Sequence, residues 1–144
     1  MRKRRFLLKK RTIIIAALLF IIVFYFTYTG KAYQLKDVIK VEEANVTRIE
    51  IDTDEGKRVV DDKKEIKQIV HSLAKVEVKK SKELDPKFDQ SYWVKIVENG
   101  KDAYGLTIYD NDYIKAFNFK DKKQATYTIV KDQKVDVKKL FSTK

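Results

Sequence analysis

The first pattern in the chain is a long stretch without any polar alternation. From Thr12 to Thr29, eighteen consecutive residues carry no charge. As a helix rising about 1.5 Å per residue they would span roughly 27 Å, close to the thickness of a bilayer's hydrocarbon layer. Tyr25 and Tyr28 stand at the far end of the run, where amphipathic rings favour the membrane–water interface. Length and flanking charge argue against a buried core helix. Between Tyr33 and Ala44, Leu35, Val38 and Ile39 recur at helical spacing among charges, which predicts a juxtamembrane linker or short amphipathic helix within 30–45. From Val46 the period drops to two: Thr47, Ile49 and Ile51 alternate with Arg48, Glu50 and Asp52, the signature of a strand. Asp54-Glu55-Gly56 supplies a turn and Lys57–Val60 a returning strand. Asp61 or Asp62 can then cap a helix, with Asp62 and Glu65 spaced as a capping box. Ile66, Ile69, Val70 and Leu73 give that helix one apolar face. Lys79–Ser91, which holds the only proline, predicts an exposed loop.

The last third reads as a meander whose register depends on its turns. Tyr92, Val94 and Ile96 share one strand face, and Tyr104, Leu106 and Ile108 share one of the next. A two-residue Asn99-Gly100 turn would put these sets on opposite sides of the sheet. A three-residue Glu98-Asn99-Gly100 loop, with Gly100 left-handed, sets Val94 against Tyr104 and Tyr92 against Leu106, so the buried face selects that loop. A two-residue Asn111-Asp112 turn then places Leu106 opposite Phe117 and Tyr104 opposite Phe119. A longer Lys120–Gln124 connection lets Ala125, Tyr127 and Ile129 extend the same face. The expected architecture is α+β: an N-terminal transmembrane helix, then a two-layer domain in which an antiparallel meander packs on one main helix, Asp61–Leu73. Val135–Phe141 suggests a final short helix.

Composition adds location more than chemistry. Charged residues make up 37% of the chain and hydrophobic ones 44%, enough to bury a core. The formal net charge of +11 suggests a polyanion ligand until its placement is counted. Arg2, Lys3, Arg4, Arg5, Lys9, Lys10 and Arg11 supply seven cations in the first eleven residues. Removing them from the 32 basic residues leaves 25 against 21 acids, a net of only +4. A cationic cluster before an apolar span marks the cytoplasmic side. The expected organisation is therefore a basic cytoplasmic tail at 1–11, a transmembrane signal-anchor at 12–29, a juxtamembrane segment at 30–45 and an extracytoplasmic domain at 46–144. Small residues at Gly30 and Ala32 would permit cleavage before Tyr33, giving a secreted alternative. Bulky Phe24-Tyr25-Phe26-Thr27-Tyr28 runs through the region where a cleavable signal turns polar, which favours a retained anchor. A pilin-like leader fits poorly, with no glycine before the span and no acid at its start.

The candidate sites are sparse. Cysteine is absent and His71 is the only histidine, which excludes thiolate zinc sites, iron–sulfur clusters, cysteine nucleophiles and a lipid-modified cysteine. Counted as a calcium loop from Asp52, the sixth position is Lys57 and the twelfth Lys63; such a loop wants glycine and a bidentate Glu there. Asp110-Asn111-Asp112 is turn chemistry. His71 falls opposite the helix's apolar stripe beside Lys67 and Lys75, and Ser72 and Ser91 lack an identifiable base. No glycine-rich phosphate loop occurs. Asn45-Val46-Thr47 is an N-glycosylation triplet, meaningful only in a eukaryotic secretory pathway. No catalytic residue, metal or cofactor is expected. Trp93 is the position of most interest. In the chosen register it projects away from the helix with Lys95, Val97, Thr107, Tyr109, Ile114 and Val130, directly opposite Gly105. It either covers that glycine or belongs to a partner-binding face made of Trp93, Lys95, Val97, Tyr109 and Ile114.

The span, Val46-Thr47-Arg48-Ile49-Glu50-Ile51, the Asp61–Leu73 helix and the Tyr92-to-Ile129 meander together resemble the small membrane-anchored or lipoprotein-type extracytoplasmic domains of unknown function common in Gram-positive bacteria. The transmembrane helix would replace the lipid anchor of the lipoprotein members. The resemblance implies no activity. It leaves a non-enzymatic domain that binds a protein or cell-envelope component, with the lipid bilayer as a first partner and nucleic acid not expected. The alternative is an accessory subunit that regulates a membrane protein through its transmembrane helix; an enzyme with dispersed polar residues ranks below both.

Overall fold

A computed structural model describes residues 2–82, 85, 87–110 and 112–130. The expected Val135–Phe141 helix lies outside them. The chain divides into two compact units, Met1–Lys31 and Ala32–Lys144. The first is a single helix, α1 (Arg2–Thr29), so the helix includes the basic segment as well as the apolar run. Within it, Lys10–Thr27 is long and apolar enough to cross a membrane, and none of that stretch is buried. Thr27 turns its hydroxyl back on the helix, donating to the carbonyl of Val23 at 3.0 Å, which satisfies a polar group that hydrocarbon would not.

The second unit is α+β. In chain order it contains β1 (Ala32–Gln34), α2 (Leu35–Val38), β2 (Val46–Thr53), β3 (Gly56–Val60), α3 (Lys63–Ala74), β4 (Glu77–Lys80), β5 (Ser91–Glu98), β6 (Lys101–Tyr109), β7 (Tyr113–Asn118) and β8 (Lys123–Ile129). All pairings are antiparallel, in the order β1-β4-β8-β7-β6-β5-β2-β3. The β5-to-β8 meander stands in the middle, flanked by the β2–β3 hairpin on one side and by β4 and β1 on the other. Asp62 caps α3, its carboxylate accepting from the Glu65 amide at 2.9 Å. The Glu65 carboxylate turns instead to Arg58 on β3. Ile66, Ile69, Val70 and Leu73 are all buried.

The folded unit starts earlier than the pattern suggests. Leu35 is fully buried and Ile39 is 5% exposed within the same apolar cluster as the strands, so the boundary expected at 45/46 moves to Ala32. The helix there is only one turn long, and Ala32–Gln34 pairs with β4. Lys79 and Lys80, expected in a loop, belong to β4 and pair with β8.

Two turns differ from expectation, and the second changes which residues are buried. Asn99 (φ 49°) and Gly100 (φ 75°) form a two-residue turn, with positive φ at both positions as a type I′ hairpin requires. The faces still agree because a bulge at Ala103 follows: Val97 pairs with Asp102, while Ile96 pairs with Tyr104. One extra residue reverses the alternation, so Val94 faces Leu106 and the three-residue loop is not needed. At the next hairpin Tyr109 pairs with Tyr113, leaving a three-residue connection, 110–112, in place of the expected two. Asp110 takes φ 49° there. This moves β7 by one position. Leu106 meets Ala116 and Tyr104 meets Asn118, so Ile114 and Ala116 enter the core, and Phe117 and Phe119 leave it. The β8 face holds as expected: Ala125 pairs with Ala116, and Tyr127 with Ile114.

Candidate binding surface

Alternation along β2, β5, β6 and β7 leaves the sheet's outer face to the other half of each strand. Trp93, Lys95, Val97 and Tyr109 lie on it, as the sequence suggests. Ile114 does not: it is fully buried on the core side, because the longer 110–112 connection reverses the facing of β7. Val97 is only 1% exposed despite its outward position. The partly exposed members are Trp93, Lys95 and Tyr109.

Trp93 pairs with Thr107, and Lys95 is the residue opposite Gly105. The Trp93 ring still covers the glycine diagonally. A Cβ at Gly105 would lie 2.5 Å from Trp93 Cη2 and 3.1 Å from Phe119 Cζ, so only glycine lets the indole lie against the strand. Around it stand two rings that the expected two-residue turn assigns to the core. Phe117 lies 5.6 Å from Trp93 and Phe119 6.5 Å, both edge-on, the arrangement ring quadrupoles favour. Lys115 Nζ sits 5.7 Å from the Phe117 ring centre. Further along, Phe88 packs on Tyr109 at 4.5 Å. The loop carrying Phe88 is held by Asp110, whose carboxylate accepts from the amides of Asp89 (2.9 Å) and Gln90 (2.8 Å). Phe119 is 38% exposed and Phe88 49%. Both rings present aromatic surface to water.

Beside the rings runs a row of alternating charge. Arg48 reaches Glu50 at 2.9 Å, Lys95 reaches Glu50 at 3.0 Å, and Lys95 also approaches Asp102 at 3.5 Å. The hydrogen bond from Lys95, then the charges of Lys95 and Arg48, hold the Glu50 carboxyl below its usual range against an opposing effect of burial. The bond to Glu50, with the Asp102 charge adding to it, raises Lys95. A lowered carboxyl stabilises the fold at neutral pH and loses that contribution as pH falls through its folded value; a raised ammonium loses its contribution only as pH rises past its own. Lys95→Met should therefore reduce stability by less than about 1 kcal/mol near neutrality. In chemical denaturation from neutral to acid pH, the difference from wild type should shrink below the ordinary carboxylate range. A difference independent of pH would mean that Lys95 acts through packing alone.

The other candidate positions do not assemble into a reaction centre. His71 is exposed on α3, and among the described residues no hydrogen bond links it to Ser72 or Ser91. Asp52 pairs with Lys57 at 3.3 Å across the β2–β3 hairpin. The Asn45 side chain donates to Glu42, and the Thr47 hydroxyl donates to the Val97 carbonyl at 3.3 Å. Among the described residues, no three His, Cys, Asp or Glu side chains converge as a metal site would need.

Together these features define an antiparallel α+β domain behind an apolar N-terminal helix, with an aromatic outer sheet face. The DUF5301 family, described as "Domain of unknown function (DUF5300)", matches residues 29–128, a stretch that includes every strand except the last residue of β8. The chain belongs to that family. Neither the curated proteins nor the solved structures give a match to it.

Proposed function

We propose that the chain is a non-enzymatic, membrane-tethered binding domain. Its basic N-terminus lies in the cytoplasm, α1 is a retained single-pass anchor, and the α+β unit is displayed outside the membrane, as in anchored extracytoplasmic domains of Gram-positive bacteria. The α3 face serves as the main cover of the sheet, which leaves the opposite face to meet a protein or cell-envelope component. The observation that carries this reading is the partly exposed Trp93–Phe117–Phe119 cluster beside the Arg48–Glu50–Lys95–Asp102 row. Interface hot spots favour large aromatic side chains and Arg, set within a polar rim.

The test is co-purification of the full-length chain from intact membranes, with mass spectrometry of what it retains. The Trp93→Ala/Phe119→Ser variant should keep its fold by circular dichroism and lose the retained component. Exchange of residues 12–29 for an unrelated apolar helix should leave that component bound. The reverse pattern would support the alternative, a subunit that works through its transmembrane helix. A Trp93→Ala change that lowers stability and leaves binding intact would reduce the indole to a cover for Gly105.

A further inference from the structure

A cleft opens at the β7–β8 end of the core face, and of the outer aromatic cluster only Phe117 reaches its lining. Ala116 and Ala125 are register partners on β7 and β8, so the sheet surface there carries only methyl groups. The segment just after α2, including Ile39 and Lys40, joins them with Tyr104 and Tyr127 in lining a cleft of about 430 Å³. Pockets that take small molecules run from about 300 to 1,000 Å³ and combine an apolar floor with a few placed polar groups. The floor here is apolar and aromatic. Burial, with a smaller contribution from Tyr33, raises Tyr127 above the usual phenol range, so its hydroxyl stays neutral.

The charges near the cleft differ in how far they are committed. The Glu98 carboxylate accepts from Lys120 at 2.5 Å and from the Glu42 amide at 3.0 Å. Asp121 accepts from the Asn118 side chain at 3.1 Å, and Asn118 accepts in return from the Asp121 amide at 3.1 Å. Lys40 and Lys123 line the same cleft, and among the described residues neither has a carboxylate within ion-pair distance. Among those residues Asp121 has no cation within ion-pair distance either, so the two lysines against one carboxylate leave the cleft with an excess of positive charge.

We propose that this cleft binds a small organic anion, whose carboxylate or phosphate is met by Lys40 and Lys123 and whose apolar body rests on Ala116 and Ala125. The cleft shares only Phe117 with the outer aromatic cluster, and the two lysines lie outside that cluster, so either proposal can fail without the other.

The test uses the full-length, ¹⁵N-labelled chain in phosphatidylcholine nanodiscs, titrated with phenyl phosphate, benzoate and the neutral benzyl alcohol while amide shifts are followed. Both anions should produce saturable shifts at Ile39, Ala116 and Ala125, and benzyl alcohol should not. The Lys40→Gln/Lys123→Gln variant, altered at two exposed positions, should bind the anions roughly tenfold more weakly, whereas Lys63→Gln/Lys64→Gln on α3 should bind them normally. Equal binding of benzyl alcohol, or equal weakening by the α3 pair, would overturn the proposal. So would the same shifts appearing in phosphatidylglycerol nanodiscs without probe, which would assign the anion to a lipid headgroup.

Discussion

Ile114→Ala should destabilise the domain far more than Phe117→Ala, although phenylalanine is the larger side chain. Ile114 is fully buried between Ile108 on β6 and Tyr127 on β8. Removing its outer carbons leaves a cavity that surrounding strands cannot close, at a cost of about 3 kcal/mol. For a domain of this size that corresponds to a fall in Tm of about 10 °C or more. Phe117 lies on the outer face, edge-on to Trp93, and its truncation should cost about 1 kcal/mol, the worth of an aromatic pair plus partial burial. The two-residue turn read from the sequence makes the opposite forecast. There Phe117 fills the core, at about 3–5 kcal/mol for truncation, and Ile114 faces solvent. Thermal melts of the two variants therefore decide the β7 register, and an outcome in which Phe117→Ala is the costlier change would reject the three-residue connection at 110–112.

That contrast shows where the sequence is informative and where it is not. Strand and helix periods are local, and they locate β2, β3, α3 and the four strands of the meander from spacing alone. Hairpin register is set by two or three turn residues whose chemistry suits several loops. Asp110-Asn111-Asp112 fits a two- or a three-residue connection, and nothing local separates them. The choice is made by the whole face: the three-residue loop puts Ile114, Ala116 and Leu106 together on the core side and leaves the bulkier phenylalanines to pack around Trp93. At Asn99-Gly100 the place of the turn is legible but its type is misread: Asn-Gly is the strongest two-residue hairpin signal, and the demand for one buried face overrides it in favour of a three-residue loop. The compensating bulge at Ala103 has no sequence signature. The short strands β1 and β4 escape the pattern for a related reason: runs of three or four residues show too little alternation to register.

The same limits shape the candidate surface. Trp93, Lys95, Val97 and Tyr109 are legible because they follow from β5 and β6 alternation alone. Phe117 and Phe119 are not, since their facing depends on the turn that precedes β7. The Arg48–Glu50 pair is visible as alternating charge on β2, but its link to Lys95 and Asp102 needs the pairing of β2 with β5, which skips the whole of α3 and β4 in sequence. Cross-strand neighbours of this kind are where sheet surfaces acquire their chemistry, and they are the part a single sequence specifies least. The cleft over Ala116 and Ala125 belongs to the same class, because two alanines become a floor only when the register sets them side by side.

Glu98→Ala should destabilise the domain by about 2 kcal/mol, second only to Ile114→Ala, although it removes a charged residue near the end of a strand. Glu98 is the last residue of β5 and is only 5% exposed. Its carboxylate joins two segments remote in sequence, accepting from the Glu42 amide and from Lys120. Next to it the Tyr104 hydroxyl donates to the Lys40 carbonyl at 2.9 Å, and Lys120 lies 5.4 Å from the Tyr104 ring centre. These contacts fasten the 40–42 strap to the sheet. Alanine at 98 leaves the Glu42 N–H without its acceptor in a half-buried setting, and an orphaned donor costs about 1–3 kcal/mol. Glu98→Gln keeps an acceptor oxygen for that amide and gives up only the charge, so it should cost roughly half as much. Lys120→Ala should cost least, because the Glu98 carboxylate keeps the Glu42 amide and water can take the place of the half-exposed ammonium. Denaturant melts give that ranking, and amide exchange at Glu42 gives the cause: it should accelerate in Glu98→Ala and stay near wild type in Lys120→Ala. Were Lys120→Ala as costly as Glu98→Ala, with Glu42 exchange unchanged in both, the ion pair would be the stabilising contact and the strap would be held by Tyr104 alone.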